Sequence, residues 1–290
     1  MFQFFANIFG YVLNIINNFV GNYGLAIILF TLFIKLIMLP LSIKQQKTMK
    51  KNAEMQEKIK VLQFKYKKDP EKLNREMMDL YKKENMSPFS GCLSAIFQFI
   101  LLISIFYMVR YPLTYMVKID KTQSEVYVQQ MKDDGMVVSQ AYSEIDIIRE
   151  LDYLKEKFPE DENLNKINLN MQFLGLDLGK IPQQNLSDWT VYIIPILYII
   201  STFISMRITT SMQSTKNKKE DLIDNDESKE NERNEMEDAM AQSNKMMSWM
   251  MPIMSVSISL VAPLGLALYW LVNNILMICE RLILNKIIKD

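Results

Sequence analysis

Four apolar stretches of bilayer-spanning length punctuate this 290-residue chain. A segment buried in hydrocarbon has no water to satisfy its backbone, so each must be helical there. Residues 24–41 carry one charged side chain, Lys35; residues 89–109 carry none, and residues 190–208 only Arg207. Residues 246–279 are too long for one crossing and hold Ala262-Pro263-Leu264-Gly265 near their middle, a turn signal that splits them in two. The expected fold is therefore an all-α membrane protein with five transmembrane helices, at 22–43, 88–110, 189–210, 245–262 and 263–284.

Charge orients the spans. Residues 42–88 hold thirteen basic and seven acidic groups, whereas residues 110–188 hold nine basic and fourteen acidic. By the positive-inside rule the first loop is cytoplasmic and the 111–188 loop external. The N-terminus is then outside and the 285–290 tail inside. Residues 211–244 are acidic overall, but Lys216, Lys218 and Lys219 follow the third span closely, and acids weigh little in this rule.

The parts outside the bilayer read as follows. In residues 1–21, Gln3, Asn7, Tyr11, Asn14 and Asn18 recur at helical spacing, which predicts an amphipathic helix lying in the outer interface. No basic residue precedes Lys35, so a cleaved signal peptide is not expected. No large external domain is expected between the N-terminus and the first span. Residues 44–87 form a basic cytoplasmic helical hairpin, with Met55, Ile59, Leu62 and Tyr66 on one arm and Leu73, Met77, Leu80 and Tyr81 on the other, divided at Asp69-Pro70. Its surface suits anionic lipid headgroups, a ribosome or a targeting factor, or is simply a solvated face. The polar 213–243 segment reads as a linker. In the external loop, Ser143 to Phe158 has helical spacing and Asp133-Asp134-Gly135 marks a turn, which predicts a small, partly ordered cap.

Composition excludes much chemistry. The chain has no His, and so no imidazole base or imidazole metal site. With 33 basic against 33 acidic residues it shows no excess suited to nucleic acid. Cys92 and Cys279 fall in apolar spans and read as small hydrophobes. No phosphate loop or ligand cluster appears, so no cofactor, no metal and no enzymatic activity are expected.

Lys35 is the exception within the spans. It lies about 16 Å from the outer end of its segment and about 9 Å from the inner one. Such a residue faces protein or water, or snorkels to the headgroups. Thr31 stands one turn away; Ser94 and Gln98 mark the second span; Tyr198, Thr202, Ser205 and Thr209 the third; Ser248, Ser255 and Ser259 the fourth; Tyr269, Asn273 and Glu280 the fifth. Each stripe alone is explained by helix-to-helix hydrogen bonding. Converging around a buried ammonium, they predict a hydrophilic groove with Lys35, Thr31, Gln98, Ser94, Thr202, Ser205, Tyr269 and Asn273 as its substrate-facing residues. Glu280 is placed near the inner end, so the counter-charge of Lys35 is expected from a visiting ligand. Methionines at 246, 247, 250, 251 and 254, and more in the hairpin, suit a surface that accepts varied apolar sequences, or fill cores.

Lys35 followed by Leu39-Pro40-Leu41, the basic hairpin, QFLGLDLGK at 172–180, and MMPIM then PLGLALYWLVNNI between 250 and 275 together resemble the YidC family of membrane protein insertases, which includes mitochondrial and chloroplast relatives. The resemblance, to the bacterial five-span type, implies five core helices around a groove open to cytoplasm and lipid. Lys35 would stand where the family more often has arginine, keeping the charge but losing the planar fork. The implied function is insertion and chaperoning of nascent membrane proteins at the bacterial cell membrane. Ribosome, signal recognition particle machinery, Sec translocon and membrane lipids are the implied partners, with no direct nucleic-acid role. The alternatives from the residues alone are a small channel or anion transporter using Lys35 as anion site, and a scaffold without a groove.

Overall fold

The computed structural model describes residues 2–66, 69–84, 90–214, 253–254 and 256–287. Residues 215–243 of the linker, the methionines from 246 to 251 and half of the span read at 245–262 lie outside them. The regular elements of the described chain are helices apart from one short hairpin, β1 (Gln172–Phe173) with β2 (Leu176–Asp177). It divides into two compact units, one of residues 1–37, 99–203 and 254–290, the other of residues 38–98 and 204–253.

Helix α1 (Phe2–Val20) has three faces. Ala6, Phe9, Gly10, Leu13 and Asn17 are buried; Gln3, Asn7, Asn14 and Asn18 form the polar stripe; Phe4, Ile8, Ile15 and Phe19 are apolar and exposed. Its buried face meets the π-helical turn Leu113–Val117, where Gly10 lets the backbones approach: a Cβ there would collide with the Tyr115 carbonyl.

Helix α2 (Tyr23–Lys65) is continuous over 43 residues, so the first span and the first arm of the basic hairpin are one helix. Pro40 lies inside it and removes one backbone hydrogen bond. The residues beyond, rich in Lys, Gln, Glu and Met and free of Gly, continue the helix. In the second unit, Met55 and Ile59 are buried, Asp69 caps α3 (Pro70–Lys83) by accepting from the Lys72 N–H at 3.0 Å, and Lys58 pairs with Glu84.

Helix α4 (Ser90–Arg110) enters the 111–188 region, which is a packed body rather than a small, partly ordered cap. It comprises α5 (Lys121–Asp133), α6 (Ser143–Arg149), α7 (Leu151–Lys157) and α8 (Glu162–Lys166) around buried Tyr127, Met131, Ile145, Ile147, Leu154 and Leu164. The helical stretch read at 143–158 is broken at Glu150. Asp120 and Asp161 cap α5 and α8, and Asp161 also accepts from Tyr127 Oη at 2.6 Å and Gln123 at 2.9 Å.

Helix α9 (Ile193–Ser214) follows a 3-10 turn at Trp189–Tyr192, and α10 (Leu264–Ile287) follows the break at Ala262-Pro263. Three helical segments among the described residues are long and apolar enough to cross a membrane: Tyr23–Thr48, Trp189–Ile208 and Leu264–Leu284. The apolar part of α4 over Gln98–Arg110 is shorter. Exposed Leu25, Leu29, Leu32, Leu36, Ile196, Ile200, Phe203, Ile275 and Leu282 give these helices apolar outer faces, the arrangement of lipid-facing surfaces.

Candidate functional site

The site is organised from the N-terminal ends of α2 and α10. A helix start leaves backbone N–H groups without partners, and an exposed one in an apolar medium is costly. Here the 168–180 segment supplies acceptors for both. The Tyr23 N–H donates to the Asn170 carbonyl at 3.0 Å, that of Leu264 to Lys180 at 3.0 Å, and that of Gly265 to Leu178 at 2.8 Å. Asn22 caps α2 by accepting from the Leu25 N–H at 3.0 Å while its amide donates to the Gln172 carbonyl at 2.7 Å. Asn17 donates to the Asn168 carbonyl at 2.9 Å. Gly24 admits the Phe173 ring, and a Cβ at Gly265 would touch Tyr23 at 3.3 Å. The QFLGLDLGK stretch is thus the clamp that starts two apolar helices side by side.

Down those helices, Thr31 is buried and donates to the Ile27 carbonyl at 2.6 Å, its local partner one turn above. Lys35 is half-buried, and its Nζ lies 3.5 Å from Glu280 Oε2. This corrects the expectation that no acid in the spans pairs with Lys35. Glu280 is the sixteenth residue beyond Leu264, about 24 Å down α10; Lys35 is twelve beyond Tyr23, about 18 Å down α2. An offset of about 6 Å is within reach of a lysine stem, which is what counting depth along separate helices overlooked.

Tyr269 is buried and Asn273 half-buried on α10. Neighbouring Asn274, missed by the sequence reading, donates to Ser201 Oγ at 3.0 Å and Thr202 Oγ1 at 3.1 Å. Thr202 in turn donates to the Tyr198 carbonyl at 2.9 Å. These bonds tie α9 to α10, so the Thr202 hydroxyl is engaged in helix pairing. Asn274 could have been found as the amide next in sequence to Asn273, but only a partner helix decides which of two adjacent amides points inward.

Lys35, Thr31, Thr202, Tyr269 and Asn273 therefore belong to the first unit. Ser94, Gln98 and Ser205 belong to the second, where Gln98 is exposed and Ser205 buried. The side chain of Ser94 lies outside the described residues.

Residues 15–290 match the family described as 60Kd inner membrane protein. The chain belongs to this family, that of YidC. Relatives named "Membrane protein insertase YidC" include one from Caldanaerobacter subterraneus subsp. tengcongensis, 47% identical over 104 residues, or 36% of this chain and 50% of the relative. Another, from Francisella tularensis subsp. novicida, is 46% identical over 108 residues, or 37% of this chain and 20% of the relative. The aligned part thus spans half the length of the first and a fifth of the second. With its family and its spanning helices, the chain is a multi-pass membrane protein.

Proposed function

We propose that this chain is a membrane protein insertase and chaperone, working from the cytoplasmic side of a bacterial cell membrane on nascent membrane proteins. The carrying observation is Lys35, a cation partway down an apolar helix, in a chain whose named relatives are insertases. In this reading the N-terminus and the 111–188 body are outside and the basic hairpin and C-terminus inside. Five spans enclose a hydrophilic groove open to the cytoplasm, of which Lys35, Thr31, Tyr269 and Asn273 are part.

The mechanism follows from solvation. Carrying a polar tail across hydrocarbon is expensive because its charges and backbone groups lose water. A polar lining with an ammonium at Lys35 replaces part of that water and attracts acidic tails. The substrate's own apolar segment then leaves along the apolar outer faces of the spans, and its burial in lipid supplies the free energy. Anionic lipids, a ribosome or targeting factors would engage the basic hairpin, with the Sec translocon as a further partner.

The test is insertion of a short-tailed single-span protein into vesicles holding wild type, Lys35→Arg, Lys35→Ala or Lys35→Glu. Arg is expected to retain activity, and Ala and Glu to lose it. Equal insertion by all four would overturn the role of the charge.

A further inference from the structure

Lys35 does not wait alone. Tyr23 and Gly265 pack against each other where α2 and α10 begin, both helix starts are held by the 168–180 clamp, and the two helices descend together until Lys35 meets Glu280. The pair is incompletely satisfied. Its 3.5 Å separation exceeds the roughly 2.7–2.9 Å of a charge-assisted hydrogen bond, and Glu280 Oε1 is buried without a hydrogen-bond partner. Neither member is sealed, for the lysine and glutamate side chains keep 21% and 14% of their exposure. An ammonium carries three donors on a flexible stem, so it exchanges one carboxylate for another without backbone movement.

Resting on the insertase reading, we infer that Glu280 is a built-in stand-in for the acidic group of a substrate: it holds Lys35 while the site is empty, yields it to a carboxylate on the incoming tail, and so sets how acidic a tail must be for capture. The physical logic is competition. An intramolecular carboxylate acts at high effective concentration, so a tail with one acid competes poorly, while a tail with several places more negative charge near the ammonium and wins more often. A neutral tail has nothing to exchange. Without a substrate, Glu280 spares the membrane an uncompensated cation. Glu280 is thus a specificity-determining residue, and the ligand class is an acidic polypeptide segment.

Two measurements on the full chain in phosphatidylglycerol and phosphatidylethanolamine vesicles test this. The first needs no insertion: acylation of the Lys35 amine by a water-soluble reagent, followed by mass spectrometry, with soluble peptides carrying zero, one or three Asp. In Glu280→Gln, Lys35 is expected to react faster, and the one-Asp peptide to protect it at about tenfold lower concentration than in wild type, the scale of a close charge-pair coupling. Identical protection curves in the two proteins would overturn the exchange. The second is insertion of a single-span reporter bearing the same tails. Wild type is expected to favour three Asp over one, and Glu280→Gln to accept both alike; an unchanged preference would count equally against the proposal. If wild type inserts no tail while peptide protection shifts as expected, the insertase reading fails and the exchange stands. Should Glu280→Gln not accumulate, Glu280→Asp draws the carboxylate back from Lys35 and is expected to shift protection the same way by less, no shift there refuting the proposal.

Discussion

The 111–188 body and the spanning helices spend polar groups in opposite ways. In the body, the Glu144 carboxylate is buried and fully engaged, accepting from the Thr114 N–H at 3.0 Å and its hydroxyl at 2.6 Å, which fastens α6 to the turn after α4. Asp134 gathers Tyr153, Gln130 at 2.7 Å and Lys157 at 3.2 Å; Asp188 gathers Lys180 at 2.8 Å and Thr190. In the spans, the Lys35 pair is long and leaves a carboxylate oxygen unpartnered. Saturated networks hold a shape, whereas a charge pair with spare capacity can change partners. The difference assigns structure to the body and exchange to the helices.

The largest effect expected from breaking this contrast is at Glu144. Glu144→Ala strands the partly buried Thr114 N–H and hydroxyl and empties a buried site, and should cost about 2–3 kcal/mol, seen as a lower Tm in detergent. Lys35 acylation in that variant should be unchanged if the two regions do separate tasks.

The pH dependence sharpens the same point, because burial pushes the Glu144 carboxyl above its ordinary range against the pull of the Thr114 hydrogen bonds. The folded state then holds this proton more tightly than the unfolded chain, so Glu144 lowers stability as pH rises from the ordinary carboxylate range to its raised value. Asp188 acts with the opposite sign. The Lys180 and Thr190 hydrogen bonds hold its carboxyl at about 2, so its contribution is complete above the ordinary carboxylate range and is lost as pH falls towards that value. Melting curves across pH should show Glu144→Gln flattening the decline and Asp188→Asn flattening the acid-side loss.

A smaller effect belongs to helix pairing. Asn274→Leu removes the bonds to Ser201 and Thr202 and should cost about 0.6 kcal/mol, the average for such bonds in membranes, with no change in the pH profile. The smallest is a gain at the tip of the β1–β2 hairpin, where exposed Leu174 sits at φ 50° beside Gly175 at φ 79°. Leu174→Gly relieves a left-handed leucine but adds freedom to the unfolded chain, so it should leave Tm unchanged or raise it by the equivalent of at most about 0.5 kcal/mol.

How much was legible varies by region for physical reasons. The α1 polar stripe and the Asp69-Pro70 cap are local patterns, and the helices show both. Periodicity cannot say which apolar side of α1 meets protein and which stays exposed; the close approach at Gly10 decides that. The 111–188 body was underread because its order comes from side chains far apart in sequence, such as Thr114 with Glu144 and Tyr127 with Asp161. Likewise the task of the 172–180 stretch is not visible in its local pattern, since its carbonyls serve helix starts on either side of it in the chain.

Hydropathy and charge by themselves determined that this chain lives in a membrane with a lone lysine inside its first span, because the cost of charge and bare backbone in hydrocarbon acts on each segment separately. Only the tertiary structure decided that Glu280 is the partner of Lys35 and that Asn274, rather than Asn273, joins α10 to α9. Those choices depend on where two helices start relative to one another and how each is rotated, and a clamp between them in the chain sets the starts.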